Sequence, residues 1–259
     1  MDRYSRQIEI QWLRGNGQKS LRSSSALLVG CGGIGSACAT YLVRSGVGRI
    51  RIVDDDIVNV TDLHRQILYD ERDCQEMRSK AEAATRRLSL ANSTVSIEAV
   101  KERLTAENAV KLADGMDILL DCSDNFETRF LINELAMAKG KPWVHAACTE
   151  LSGLVIPFPT ERKVCYRCIY EHKGYIDSSS QSAPILGPVA GIVGALEAAL
   201  AIRMLSGADH GFQAIFHFDL ATNTWEILNI AIQRRCKLCT QGNFRMFGFQ
   251  DRASHESNA

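Results

Sequence analysis

The stretch Leu27-Leu28-Val29-Gly30-Cys31-Gly32-Gly33-Ile34-Gly35 limits what this chain can fold into more than any other. Its apolar run reads as a buried strand, its glycines as a sharp turn, and residues 36–45 as the helix that follows. Glycine lets main-chain N–H groups approach phosphate oxygens, and a helix N-terminus adds unpaired donors and a partial positive charge. The pattern points to a nucleotide-phosphate site, with Gly32, Gly33 and Gly35 as the candidate contacts. A tight turn with no binding role is the plainer alternative.

A length of 259 residues suits one large α/β domain with a small appendage. Lys plus Arg and Asp plus Glu both number 30, so no global field argues for nucleic acid or an anionic membrane. Nine cysteines without a signal-peptide pattern suit reduced thiols and a metal, which implies a cytoplasmic setting. The longest apolar stretch, residues 188–205, is interrupted by Glu197 and Arg203, so no membrane span is expected.

Residues 4–15 carry Ile8, Trp12 and Leu13 among Arg6 and Arg14 and read as a short N-terminal helix. A second strand, 49–53, ends in Asp54-Asp55-Asp56. An acidic residue about 20 positions beyond the glycines is where such folds hold a ribose, which nominates Asp54 over a merely solvated turn. Beyond it, the irregular stretch 58–66 supplies Arg65, and Lys80 opens the helix 79–91. Cations gathered near phosphates suit a triphosphate attacked at its α-phosphorus, and leave a dehydrogenase far behind.

Strands at 95–100 and 116–120 alternate with helices at 105–113 and 126–139, and the fourth strand ends in Asp121-Cys122-Ser123-Asp124-Asn125. Asp124 reads equally as a magnesium ligand or as the cap of the next helix. Strands 142–147 and 153–158 follow, then a small-residue helix at 189–205 with Gly191 and Gly194, and a hairpin of 215–219 with 224–230. The fold class is α/β: a Rossmann-like, doubly wound, mainly parallel sheet extended by antiparallel C-terminal strands.

Two pairs, Cys165-Tyr166-Arg167-Cys168 and Cys236-Lys237-Leu238-Cys239, could each be a redox dithiol. Together they read as one tetrahedral four-cysteine zinc site joining distant segments, structural because no position stays open for substrate. Cys31, Cys38, Cys74, Cys122 and Cys148 read as ordinary small buried residues. The expected organisation is an N-terminal segment (1–20), a nucleotide core (21–160), a carrier- and zinc-binding part (161–240) and a disordered tail (241–259). Residues 175–186 read as a mobile, Ser-rich loop.

With these residues in place, the chain resembles the bacterial sulfur-carrier adenylyltransferases of the ThiF, MoeB and HesA type, relatives of the ubiquitin-activating enzymes. The resemblance runs from about residue 4 to 239. It rests on Tyr4-Ser5-Arg6-Gln7-Ile8, Gly30-x-Gly32-Gly33-x-Gly35, Asp54-Asp55-Asp56, Leu63-His64-Arg65-Gln66, Asp121-Cys122-Ser123-Asp124-Asn125 and both cysteine pairs. It implies an enzyme that uses ATP and Mg2+ to adenylate the C-terminal carboxylate of a ubiquitin-like carrier protein or peptide, releasing pyrophosphate.

The resemblance also implies roles: Gly33 at the nucleotide, Asp54 at the ribose, Arg65 and Lys80 at the phosphates, and Asp124 at the magnesium. Arg6 would reach the neighbour's ATP across a homodimer. The implied nucleotide-contacting set is Gly32, Gly33, Gly35, Asp54, Asp56, Asp62, Arg65, Lys80, Asp124 and Asn125, with Arg6, Arg65, Lys80 and Asp124 catalytic. Two departures stand out. Asp62 occupies a position where many relatives carry Asn, and a carboxylate there repels phosphate unless it binds magnesium or turns away. The loop position of the thiol in thiol-transferring relatives falls near Ser180, so the reaction is expected to stop at the adenylate. Adenylation of a small-molecule, peptide or tRNA-linked carboxyl group, and an inactive nucleotide-binding scaffold, are the alternatives.

Overall fold

A computed structural model describes residues 3–161, 164–170, 184–208, 213–230, 236–242 and 244. Its strands are β1 (Ser25–Val29), β2 (Arg49–Val53), β3 (Ser96–Val100), β4 (Ile118–Asp121), β5 (Trp143–Thr149), β6 (Ser152–Phe158), β7 (Ala214–Asp219) and β8 (Thr224–Asn229). They form one sheet in the order β3-β2-β1-β4-β5-β6-β7-β8. Strands β1 to β5 pair in parallel, and β6 to β8 extend the sheet in antiparallel fashion. This is the architecture the sequence predicts.

The described helices are α1 (Gly17–Ser23), α2 (Gly33–Ser45), α3 (Glu71–Gln75), α4 (Lys80–Ala91), α5 (Ala106–Leu112), α6 (Phe126–Ala138), α7 (Tyr166–Tyr170), α8 (Gly187–Leu205) and α9 (Lys237–Gln241). Helices cover both faces of the parallel strands, which is why β1 is buried along its whole length. Alternate side chains serve the two faces. Leu28, Ile52 and Leu120 pack with Leu42 of α2, Leu88 of α4 and Val193 of α8, while Leu27 and Leu119 pack with Leu112 of α5 and Leu135 of α6.

The chain winds from β1 outward through β2 and β3, then resumes on the other side of β1 at β4. Open α/β sheets hold ligands at such a reversal, outside the carboxyl ends of the strands. Register makes the reversal sharp: Val29 lies opposite both Val53 and Asp121, so the turns after β1, β2 and β4 leave the sheet at one level.

The N-terminal segment departs from its expected form. Residues 3–16 make successive turns, closed by Ile8 N–H to Tyr4 O (2.9 Å) and Arg14 N–H to Ile10 O (3.1 Å), and helix begins only at Gly17. Leu13 is its buried anchor while Ile8, Ile10 and Trp12 are exposed, so no continuous apolar stripe is present to sustain a helix. Asn92 Nδ2 donates to Tyr4 Oη (2.8 Å), and Gln7 Nε2 to Ser45 O (2.9 Å), pinning the turns to the ends of α4 and α2.

Helix α8 is long and apolar enough to cross a membrane, and half of that window is buried inside the protein. A Cβ on Gly194 would lie 2.3 Å from Ile34 O, so the close packing expected of this helix is real there; Gly191 has nothing within 4 Å. The Ser-rich loop as far as residue 183, including Ser180, and the tail beyond residue 244 lie outside the described residues.

Candidate active site

The turn after β1 fits only because it is glycine. Gly30 has φ +87°, and a Cβ there would lie 2.8 Å from Cys122 O; one on Gly35 would lie 2.1 Å from Gly30 O. Helix α2 begins at Gly33, three residues before the expected start, with Gly32 as an N-cap that has no side chain to cap with. Its first-turn N–H groups therefore face the carboxyl edge of the sheet, where an anion can take them up. Gly33 is packed between Ala190 and Arg65, whereas a Cβ on Gly32 would meet nothing closer than Gln66 Nε2 at 3.8 Å.

Asp54 braces this turn. One of its oxygens accepts from Cys31 N–H (2.6 Å) and the other from Asp56 N–H (2.9 Å). Burial raises its pKa above the ordinary aspartate value, against those two donors and the nearby Lys80. Tyr69 Oη donates to Cys31 O (2.7 Å) and holds the turn from the other side.

Lys80 is buried at the start of α4, with Nζ 2.8 Å from Asp56 Oδ2 and 3.6 Å from Asp62 Oδ2. Burial works against the charged ammonium, yet the Asp56 hydrogen bond and the carboxylates of Asp54, Asp56 and Asp62 hold its pKa above the usual lysine value. Asp62 is turned into the protein. Its Oδ1 accepts from Gln66 Nε2 (2.9 Å) and pairs with Arg65 Nη2 (3.1 Å), and its Oδ2 accepts from Asn59 N–H (3.0 Å). The Asp62 carboxylate thus gathers Arg65 and Lys80 to itself within the protein.

The turn after β4 separates the two readings of Asp124. Asn125 caps α6, its Oδ1 accepting from Thr128 N–H (2.9 Å), while its Nδ2 donates to Asp124 Oδ1 (3.3 Å). Asp124 is exposed beside the glycine turn and is not the cap. Beneath it, buried Asp121 accepts from Ser123 Oγ (2.5 Å) and lies 2.6 Å from His145 Nδ1. Burial lowers the His145 pKa despite that carboxylate. Arg129, which sequence reasoning passed over, is buried, donates to Ser123 O (3.1 Å) and lies over the Phe126 ring. Its only sequence signal is an arginine one turn past the helix cap, beside the apolar run Phe130-Leu131-Ile132. Arg6 is exposed on the N-terminal turns and enters none of these hydrogen bonds.

The two cysteine pairs converge. Sγ separations are 3.5 Å for Cys165–Cys236, 3.6 Å for Cys168–Cys239 and 3.9 Å for Cys165–Cys168. A tetrahedron of thiolates about 2.3 Å from zinc has edges of about 3.8 Å, so the donors fit the ion. Cys236 N–H donates to Cys168 Sγ (3.4 Å), the outer-shell support a thiolate ligand requires. The centre joins α7 to α9 and leaves no open ligand position.

The model of the ThiF family matches residues 4–240, nearly the whole described chain. The chain belongs to the ThiF family. A sulfur carrier protein adenylyltransferase of Thermus thermophilus is 37% identical over 248 residues, covering 92% of this chain and 90% of its own. The sulfur carrier protein ThiS adenylyltransferase of Escherichia coli is 34% identical, covering 93% and 96%. Among solved structures, Escherichia coli MccB with AMPCPP and MccA superposes with a TM-score of 0.78 at 23% identity, over 88% of this chain and 71% of that one; it shows the shared fold. This ThiF-family chain is an ATP-dependent adenylyltransferase.

Proposed function

We propose that this enzyme transfers the adenylyl group of ATP to the C-terminal carboxylate of a small sulfur-carrier protein, releasing pyrophosphate. One observation carries the reading: buried Asp62 gathers Arg65 and Lys80 beside an uncapped glycine turn, at the sheet edge that also bears Asp124. The glycine turn holds phosphate through backbone N–H groups, and Asp54 receives the ribose. Arg65 and Lys80 exchange their carboxylate partners for phosphate oxygens as the α-phosphorus is attacked. Asp124, with exposed Asp56, would hold Mg2+, which supplies charge neutralisation at the phosphates. Arg6 completes the site from the second subunit of a homodimer.

The attacking carboxylate is already an anion and needs no general base, so catalysis is alignment plus charge stabilisation. The reaction ends at the acyl-adenylate. Burial pushes the Cys31 and Cys148 thiols up to about 12, leaving almost no thiolate to capture the acyl group. The test is pyrophosphate exchange into ATP. Exchange that depends on a carrier with a free C-terminal carboxylate supports the proposal. No exchange with any carrier refutes it and favours a nucleotide-binding scaffold. A thiol-labile carrier adduct on the enzyme in intact-mass analysis would refute the adenylate endpoint.

A further inference from the structure

Glu197 is the one acidic residue of α8, and it is fully buried. The helix face that holds it lies directly on α2: a Cβ on Gly33 would touch Ala190 (2.9 Å), and one on Gly194 would touch Cys38 N (3.0 Å). One turn beyond Gly194, Glu197 Oε2 accepts from Cys122 Sγ at 3.2 Å. Its other oxygen, Oε1, has no hydrogen-bond partner among the described residues. Burial, with Cys38 from α2 and Asp121 from β4, disfavours its ionised form, and the Cys122 hydrogen bond works the other way. With no cation beside it among the described residues, burial raises the Glu197 pKa well above the usual glutamate value.

What Cys122 touches gives this contact its importance. Its carbonyl closes on Gly30, its Cβ lies 3.2 Å from where a Gly35 Cβ would stand, and its N–H donates to Val29 O (3.0 Å). Asp124 follows two residues later. We infer that Glu197 is a positioning residue for the nucleotide site, setting through Cys122 the spacing between the glycine turn and the Asp124 turn. The inference rests on the magnesium–ATP reading of that site. A glutamine has the same shape and keeps an acceptor for the thiol. A leucine fills similar volume but accepts nothing, which frees the Cys122 turn to relax.

The test is equilibrium binding of a non-hydrolysable ATP analogue to the full chain, with and without Mg2+, alongside thermal unfolding. Glu197→Gln should bind within about twofold of the wild type, whereas Glu197→Leu should bind the magnesium complex about tenfold more weakly. The leucine variant should lose much less affinity for the metal-free analogue. Its melting temperature should be unchanged or higher, because an apolar side chain suits an apolar site. Cys122→Ala should reproduce the magnesium-dependent loss, and it carries the test if the leucine variant fails to fold. Magnesium-complex affinity unchanged from the wild type in the leucine and alanine variants would overturn the inference, as would equal losses for glutamine and leucine. Binding needs no carrier, so a failure of exchange with every carrier would refute the proposed activity and leave this measurement standing.

Discussion

Replacing Lys80 by methionine removes the cation on which the site converges, and the structure sets two magnitudes against each other. The ammonium is 2.8 Å from Asp56 and 3.6 Å from Asp62, gross attractions of about 6 and 5 kcal/mol at an effective dielectric constant of about 20. Desolvation cancels most of this, and stranding a buried partner is what costs about 3–5 kcal/mol. Neither partner is stranded here. The Asp56 side chain is 65% exposed and returns to water, and Asp62 keeps Arg65, Gln66 and the Asn59 N–H. The folding cost is then at the low end, about 2 kcal/mol, within the usual margin of stability. Losing one preorganised charge at a reacting phosphate costs about 100- to 1,000-fold in rate, the larger effect in function. Thermal unfolding and carrier-dependent pyrophosphate exchange at saturating ATP measure both. Exchange within tenfold of wild type would refute the phosphate role of Lys80. Unfolding at 25 °C would refute the partition of the energy.

Three further outcomes follow from the geometry. Cys165→Ser should lower both zinc content and melting temperature, and a chelator should do the same to the wild type; equal stability with and without metal would remove the structural centre. Asp62→Asn keeps an acceptor for the Asn59 N–H but releases the charge pairing with Arg65 and Lys80. It should lower the KM for MgATP several-fold with stability changed by no more than about 1 kcal/mol, and a raised KM would show that the carboxylate positions the cations. Burial raises the Glu197 pKa, so the native state keeps a proton that the unfolded chain releases. Stability from this group is complete below the ordinary glutamate range and falls as pH rises, by about 1.4 kcal/mol per pH unit while the native form stays protonated. Glu197→Gln lacks that slope, so its melting temperature should gain on the wild type from about pH 5 to about pH 7.

Much of the fold was legible because the parallel strands are short apolar runs with a turn signal at each end, and the glycine turn cannot be built from other residues. The cysteine pairs were legible because two such pairs have few joint uses other than a metal. What remained hidden depends on where side chains point. Asp54 and Asp62 read as ligand contacts, and only the structure shows what else holds them: Asp54 accepts from the Cys31 and Asp56 N–H groups, and Asp62 from the Asn59 N–H and Gln66 Nε2. Asp124 and Asn125 are adjacent, both suit a cap, and only geometry gives that role to Asn125. The N-terminal turns misled because alternating apolar and basic residues look amphipathic until burial shows Leu13 alone as the anchor. Glu197 looked like an interruption of an apolar stretch, because its partners on α2 and after β4 are far away in the chain.

The four-cysteine centre also bears on how distant segments of this chain are held together. Cys165 and Cys236 are 71 positions apart, and closing a loop of that size without a metal costs about 4–5 kcal/mol of chain entropy. Helix α7, which follows Cys165 directly and carries Cys168, is seated on α6 by Tyr166 N–H to Asn133 Oδ1 (2.9 Å) and by the buried Arg167–Glu134 ion pair (2.6 Å). The first pair is therefore anchored by contacts of its own with α6, and an ion across the four thiols would fasten the second pair to it. Loss of an ion from the four thiols should then loosen the C-terminal segment before it reaches the nucleotide turn, a difference that site-resolved hydrogen exchange with and without a chelator would read out.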